Sequence, residues 1–100
     1  MQSEQDSPDN EVHETELEIR NSDGLHMRPA MRFVDIANGF DSDISVSNGE
    51  TTVNGKSIMG VMTLAANKGV KIGIETTGED EAEAMVALVA LIEDYFGEGG

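Results

Sequence analysis

The chain has no cysteine and no tryptophan, and only two prolines among 100 residues. Without cysteine there is no disulfide, no thiolate zinc site and no thiol nucleophile. Aromatics are few (Phe33, Phe40, Tyr95 and Phe96), so a core must be built from Val, Ile, Leu, Met and Ala. Cations are scarce too: six Lys and Arg face twenty Asp and Glu, a net charge of −14. Such a chain is a poor ligand for nucleic acid, whose phosphates attract Lys and Arg, and for an anionic lipid surface. No apolar run approaches the roughly 18 residues of a membrane span. The first residues are polar and acidic, unlike a secretory leader. These absences exclude nucleic-acid binding and membrane insertion and lead us to expect a soluble, cytoplasmic protein. Solubility and adaptation to high salt both account for the acidity.

What is present suffices for one small domain, since 38% of the residues are hydrophobic and the length leaves no room for a second core. Residues 1–14 carry Glu4, Asp6, Asp9, Glu11 and Glu14 and no Lys or Arg. They cannot bury enough apolar surface to offset their ordering entropy. The expected organisation is an acidic disordered tail over 1–14, a domain over 15–97 and a frayed end over 98–100. His13, inside the tail, reads as a solvated residue.

Alternation of Leu17 and Ile19 with charged residues predicts a strand over 15–21. Ser22-Asp23-Gly24 is a turn signal. Ala30, Phe33, Val34 and Ala37 then recur at helical spacing until Asn38-Gly39. Ile44 and Val46 alternate in a second strand, Asn48-Gly49 marks a hairpin, and Thr51 to Val53 return. Ser57 can cap a short helix over 58–64. Val70, Ile72 and Ile74 alternate in a fourth strand. Thr77 to Asp80 resembles a capping box ahead of a last helix. Ala82, Met85, Val86, Val89, Ile92 and Phe96 are expected on its buried face. The order β-α-β-β-α-β-α implies an α+β fold, a two-layer open-faced sandwich with a four-stranded antiparallel sheet covered on one face by three helices.

The segment Gly24-Leu25-His26-Met27-Arg28-Pro29-Ala30 spans the first strand-to-helix join. Proline is tolerated in a helix only in its first turn, which places His26 at the helix start. The first backbone N–H groups there lack intrahelical partners and, with the helix dipole, attract an anion. Arg28 adds a guanidinium that can fork onto phosphate oxygens, and Gly24 permits close backbone approach. Free imidazoles titrate near neutrality, so a neutral, nucleophilic ring nitrogen is available in water. A plain helix-capping histidine is the competing explanation.

That segment resembles the active-site signature of HPr, the histidine-containing phosphocarrier of the bacterial phosphoenolpyruvate:sugar phosphotransferase system. Lys56-Ser57-Ile58-Met59-Gly60-Val61-Met62-Thr63-Leu64 resembles the family's regulatory-serine segment. Gly78-Glu79-Asp80-Glu81 resembles the opening of its last helix. The likeness runs from about Thr15 to Phe96. It implies that enzyme I phosphorylates Nδ1 of His26 and that the group passes to an enzyme IIA domain. In this picture Arg28 steadies the phosphate, and Gly24 and the backbone N–H groups of Met27 and Arg28 line its site. It further implies that Ser57 is open to an HPr kinase/phosphorylase, that Ile58, Met59 and Met62 meet partners, and that the carrier works without cofactor, metal or turnover of its own. A monomer is expected. Ser57 also reads simply as an N-cap, and part of the Ile and Met cluster as core, with Met59 the best candidate for an exposed contact. Met27 stands where family members often carry a small residue or Thr. Two other functions fit the same chain: an HPr-like protein of a regulatory phosphotransferase chain, and a non-catalytic binding module controlled through Ser57.

Overall fold

In the computed structural model, residues 13–21, 24–64, 67–94 and Phe96 are described. Hydrophobic alternation produces four strands and helical periodicity three helices: β1 (His13–Glu18), α1 (Met27–Ala37), β2 (Asp43–Ser47), β3 (Thr52–Asn54), α2 (Ile58–Thr63), β4 (Lys71–Thr77) and α3 (Glu81–Glu93). The order is the expected β-α-β-β-α-β-α. The sheet is antiparallel throughout, in the spatial order β1-β4-β2-β3. Ile44, Val46, Ile72 and Ile74 point into the core together with Phe33, Leu88, Ile92 and Phe96. The other face of the sheet carries Glu16, Glu18 and Glu75 into solvent. This is the α+β open-faced sandwich anticipated above, with its apolar side covered and its polar side wet.

Several boundaries differ from expectation. β1 begins at His13, so His13 and Glu14 belong to the sheet and not to a tail. They pair across from Thr76 and Glu75 of β4, and backbone pairing requires no apolar side chain. The rest of the expected tail, 1–12, and the end, 97–100, lie outside the described residues, as does the Ser22-Asp23 part of the turn. β3 sits one residue later than predicted, and α2 ends one residue earlier.

The largest differences lie at α3. Thr77 closes β4 and caps nothing, because Asp80 is the N-cap residue and makes no side-chain capping bond. The Asp80 carboxylate instead accepts the backbone N–H groups of Asp41 and Ser42, both at 2.9 Å, and the Ser42 hydroxyl. That ties the start of α3 to the loop between α1 and β2. The Ser42 hydroxyl first, then the Asp41 amide, hold the Asp80 carboxyl below the usual aspartate range. Glu81 takes a local role, its carboxylate accepting the Gly78 N–H at 2.8 Å. The buried face of α3 is Ala84, Met85, Leu88 and Ile92, while Val86 is exposed at 69%. Ala82 is exposed as well and Val89 only half-buried. The segment is apolar nearly all round, so spacing alone does not decide which stripe meets the sheet.

Candidate functional site

The site is built where β1 hands over to α1. Gly24 adopts φ +63°, a left-handed conformation that costs glycine little. Its carbonyl accepts the Asn21 side-chain amide at 2.8 Å, and its N–H reaches the Asn21 carbonyl at 3.2 Å. Asn21 is fully buried, and Leu25 inserts into the core beside it. The turn is thereby anchored on both sides of Gly24, and the next residue is thrown outward.

That residue is His26, the N-cap of α1, with φ −75° and ψ −174° and no side-chain capping bond. Its ring is exposed. The first bond of the helix runs from the Ala30 N–H to the His26 carbonyl at 2.9 Å. The N–H groups of Met27 and Arg28 precede that bond and Pro29 has none to offer, so these two amides form the open, positively polarised end. No acidic residue stands in the first turn to compete for them. Pro29 and Ala30 are buried and fix the helix against the core. The imidazole is therefore held at the helix tip by its backbone, with the side chain left for chemistry.

The exposed surface around it is lined by methionines. His26, Leu25, Met27, Met62 and Asn67 surround one open depression. Met27, Met31, Val34, Asp35 and Ile58 surround a second. Met27, Arg28, Met31, Arg32 and Asp35 surround a third. Met27 thus belongs to all three. The structure brings His26, Met27 and Met62 together, and Met27 with Ile58. Arg28 is exposed and lines the neighbouring groove beside Arg32, one turn further on, not the depression of His26 itself. Met59, at 76% exposure, and Ser57 line none of these three depressions.

Ser57 is the N-cap of α2. Its hydroxyl oxygen accepts the Gly60 N–H at 3.1 Å, and its carbonyl accepts the Val61 N–H at 2.9 Å. Ser57 as a whole is half-buried. The preceding Lys56 donates from Nζ to the Phe40 carbonyl at 2.7 Å, and its own carbonyl accepts from the Asn38 side chain at 3.3 Å. The start of α2 is thus bound to the end of α1.

Spacing did not bring out two features. Arg32 donates from Nη1 to the Phe96 carbonyl at 2.9 Å, tying α1 to the end of the described chain. Met31 joins Met27 on one helix face, a contact that their i, i+4 spacing permits. A further depression, on the open face of the sheet, is lined by Glu14, Ser45 and Glu75 among others. A hydrogen bond that the protonated Glu75 carboxyl donates to Glu14 raises it above its usual value, with burial and charge repulsion adding to it. Such a surface repels phosphate. Among the described residues no group of three His, Cys, Asp or Glu side chains could hold a metal ion, and no helix is long and apolar enough to cross a membrane.

The family model for the PTS HPr component phosphorylation site matches residues 13–94. The chain belongs to the HPr family. The phosphocarrier protein HPr of Neisseria meningitidis serogroup A is 54% identical over 83 residues, which are 83% of this chain and 93% of that protein. The crystal structure of HPr from Thermoanaerobacter tengcongensis superposes with a TM-score of 0.84 at 48% identity, covering 86% of this chain and 97% of that one. The Bacillus subtilis catabolite-repression protein Crh, solved as a swapped dimer, superposes with a TM-score of 0.67 at 42% identity, covering 78% of this chain and 90% of that one. The HPr-type reading of Gly24 to Ala30 and of Lys56 to Leu64 therefore rests on the right family.

Proposed function

We propose that this HPr-family chain is a phosphocarrier of the phosphotransferase system, taking a phosphoryl group from phospho-enzyme I onto Nδ1 of His26 and passing it to an enzyme IIA domain. The observation that carries this is an exposed imidazole at the N-terminus of α1, its side chain free of any capping bond, beside the open amides of Met27 and Arg28. In the transfer, the ring nitrogen forms a bond to phosphorus as the bond to the donor breaks. The new dianionic group lies at the positive end of the helix, where it is stabilised. Arg28, from the adjacent groove, supplies a positive charge as the group arrives. Gly24, itself buried, forms the left-handed turn that brings His26 to the surface. The hold must stay loose, since each ~1.4 kcal/mol of extra stabilisation of the phospho-form slows onward transfer up to tenfold.

Ile58, Met59 and Met62, beside Met27, form the apolar surface on which enzyme I and the IIA domain dock. Ser57 is a regulatory position for an HPr kinase/phosphorylase. A phosphate there sits at the start of α2 and adds roughly two negative charges beside the docking surface, weakening enzyme I binding. The carrier acts as a cytoplasmic monomer. The second reading, a regulatory protein of the Crh kind, is favoured by one observation, the N-cap position and partial exposure of Ser57. Incubation with enzyme I and labelled phosphoenolpyruvate separates the two. The carrier reading expects acid-labile label on the wild-type chain and none on His26→Ala. An unlabelled wild type refutes it.

A further inference from the structure

With no cysteine in the chain, its six methionines are its only sulfur atoms. Three of them are strongly exposed, Met27 at 60%, Met31 at 49% and Met59 at 76%, while Met85 is buried at 9%. Exposed apolar side chains scattered singly are ordinary, but Met27 and Met31 share one face of α1 and line common grooves, one of them with Ile58. The three are not equivalent. Met59 is the most open but lines none of the depressions around α1, and Met62 lines the depression of His26 but is half-buried. Met27 alone is both exposed and part of the wall around the imidazole, and it also belongs to both adjoining grooves. Whatever docks against His26 must desolvate the Met27 thioether.

We propose that Met27 is a reversible oxidation site that controls access to His26, its thioether being converted to the sulfoxide by oxidants of the peroxide class. In that step the sulfur lone pair attacks the terminal peroxide oxygen, an S–O bond forms and the O–O bond breaks. The transferred oxygen gives up its proton to the departing hydroxide, which leaves as water, and the sulfoxide remains. Sulfur loses two electrons and the peroxide gains them. Methionine sulfoxide reductase, drawing on a thiol reductant, reverses the change. The product is a strong hydrogen-bond acceptor in the middle of an apolar contact surface, and burying it under a partner without a donor is costly. The fold is untouched, because an exposed side chain carries little packing energy. No thiol in the chain competes for the oxidant.

This inference rests on the phosphocarrier reading, and the test separates the two. The full chain is treated with hydrogen peroxide, oxidation at each methionine is followed by peptide mass spectrometry, and the initial rate of labelling from enzyme I and phosphoenolpyruvate is divided by that of the same protein untreated. Once Met27 is sulfoxide, the wild type should slow about tenfold and recover with the reductase. In a Met31→Leu/Met59→Leu/Met62→Leu background, where Met27 is the one oxidisable side chain left on the docking surface, the loss should persist, and adding Met27→Leu should bring the ratio near one. The melting temperature of the treated protein should be unchanged. An undiminished rate with Met27 fully oxidised, an equal loss after Met27→Leu is added to that background, or a loss that accompanies melting overturns the inference alone. Absence of label in the untreated wild type overturns the carrier reading, and the inference with it.

Discussion

Replacing Gly78 by alanine tests whether the junction between β4 and α3 is as tight as it looks. Gly78 has φ +146°, and a Cβ built on it would lie 2.9 Å from the Ser42 Cα, 2.8 Å from its hydroxyl oxygen and 3.1 Å from its Cβ. Ser42 is 1% exposed and is held on the Asp80 carboxylate through its N–H and hydroxyl, so it cannot swing away. Two costs add. Holding a residue with a side chain in this backbone region costs about 1–2 kcal/mol, and forcing a methyl group against packed backbone costs about 1–3 kcal/mol. The sum, about 2–5 kcal/mol, is a large part of the roughly 5–15 kcal/mol that holds a domain of this size together. At about 4–8 °C per kcal/mol, Gly78→Ala should melt roughly 8–40 °C lower. Gly49→Ala is the control. Gly49 has φ +97° but nothing within 4 Å of the added carbon, so only the backbone cost applies, about 1–2 kcal/mol. Calorimetry on both variants, with urea titrations to check that the m-value is unchanged, measures the difference. Equal melting temperatures for the two would refute the overlap argument.

Loss of the cap on α2 is predicted to be milder. Ser57→Ala removes the acceptor for the Gly60 N–H and should cost about 1 kcal/mol in urea denaturation, whereas Ser57→Asp should keep most of that stability. Two carboxyls give opposite pH responses. Asp80 titrates below the usual aspartate value in the fold, so its stabilisation is present above that usual value and is lost as pH falls through the lowered one. Asp80→Asn should flatten this acid limb. Glu75 titrates above its usual value, held up first by the hydrogen bond its protonated carboxyl donates to Glu14 and also by burial and repulsion. Its stabilisation is complete below the usual value and disappears as pH rises through the raised one. Glu75→Gln should therefore be more stable than the wild type at pH 7, and stability measured from pH 3 to 8 checks both signs.

Legibility in the sequence followed the contrast between apolar and polar positions. The buried face of α1 was readable because Ala30, Phe33, Val34 and Ala37 stand out from polar neighbours. The same reasoning failed on α3, where Val86 is as apolar as Leu88 yet faces solvent. There the sheet, not the period, selects the stripe. The capping role expected of Thr77 failed because a partner distant in sequence, the loop at Asp41 and Ser42, claimed the carboxylate of Asp80. At the candidate site, Pro29 located the helix start and hence the exposure of His26. The separation of Arg28 from the depression of His26 was not readable, nor was the position of Met27 in the wall shared between grooves. The groove of Arg28 is lined by α1 alone, whereas the place of Met27 depends on how α1 meets Ile58 and Met62 of α2, which no local pattern encodes.

The sheet order has a consequence for synthesis. β1 lies at an edge and pairs with β4 alone, from His13 opposite Thr76 to Glu18 opposite Lys71. A nascent chain leaving the ribosome therefore carries β1 without a neighbour until Lys71 to Thr77 emerge. The hairpin of β2 and β3 can close early, but the layer as a whole assembles late and through distant contacts, which slows folding. Until then the strand edge is bare, and the row of glutamates at 14, 16 and 18 repels other copies from it.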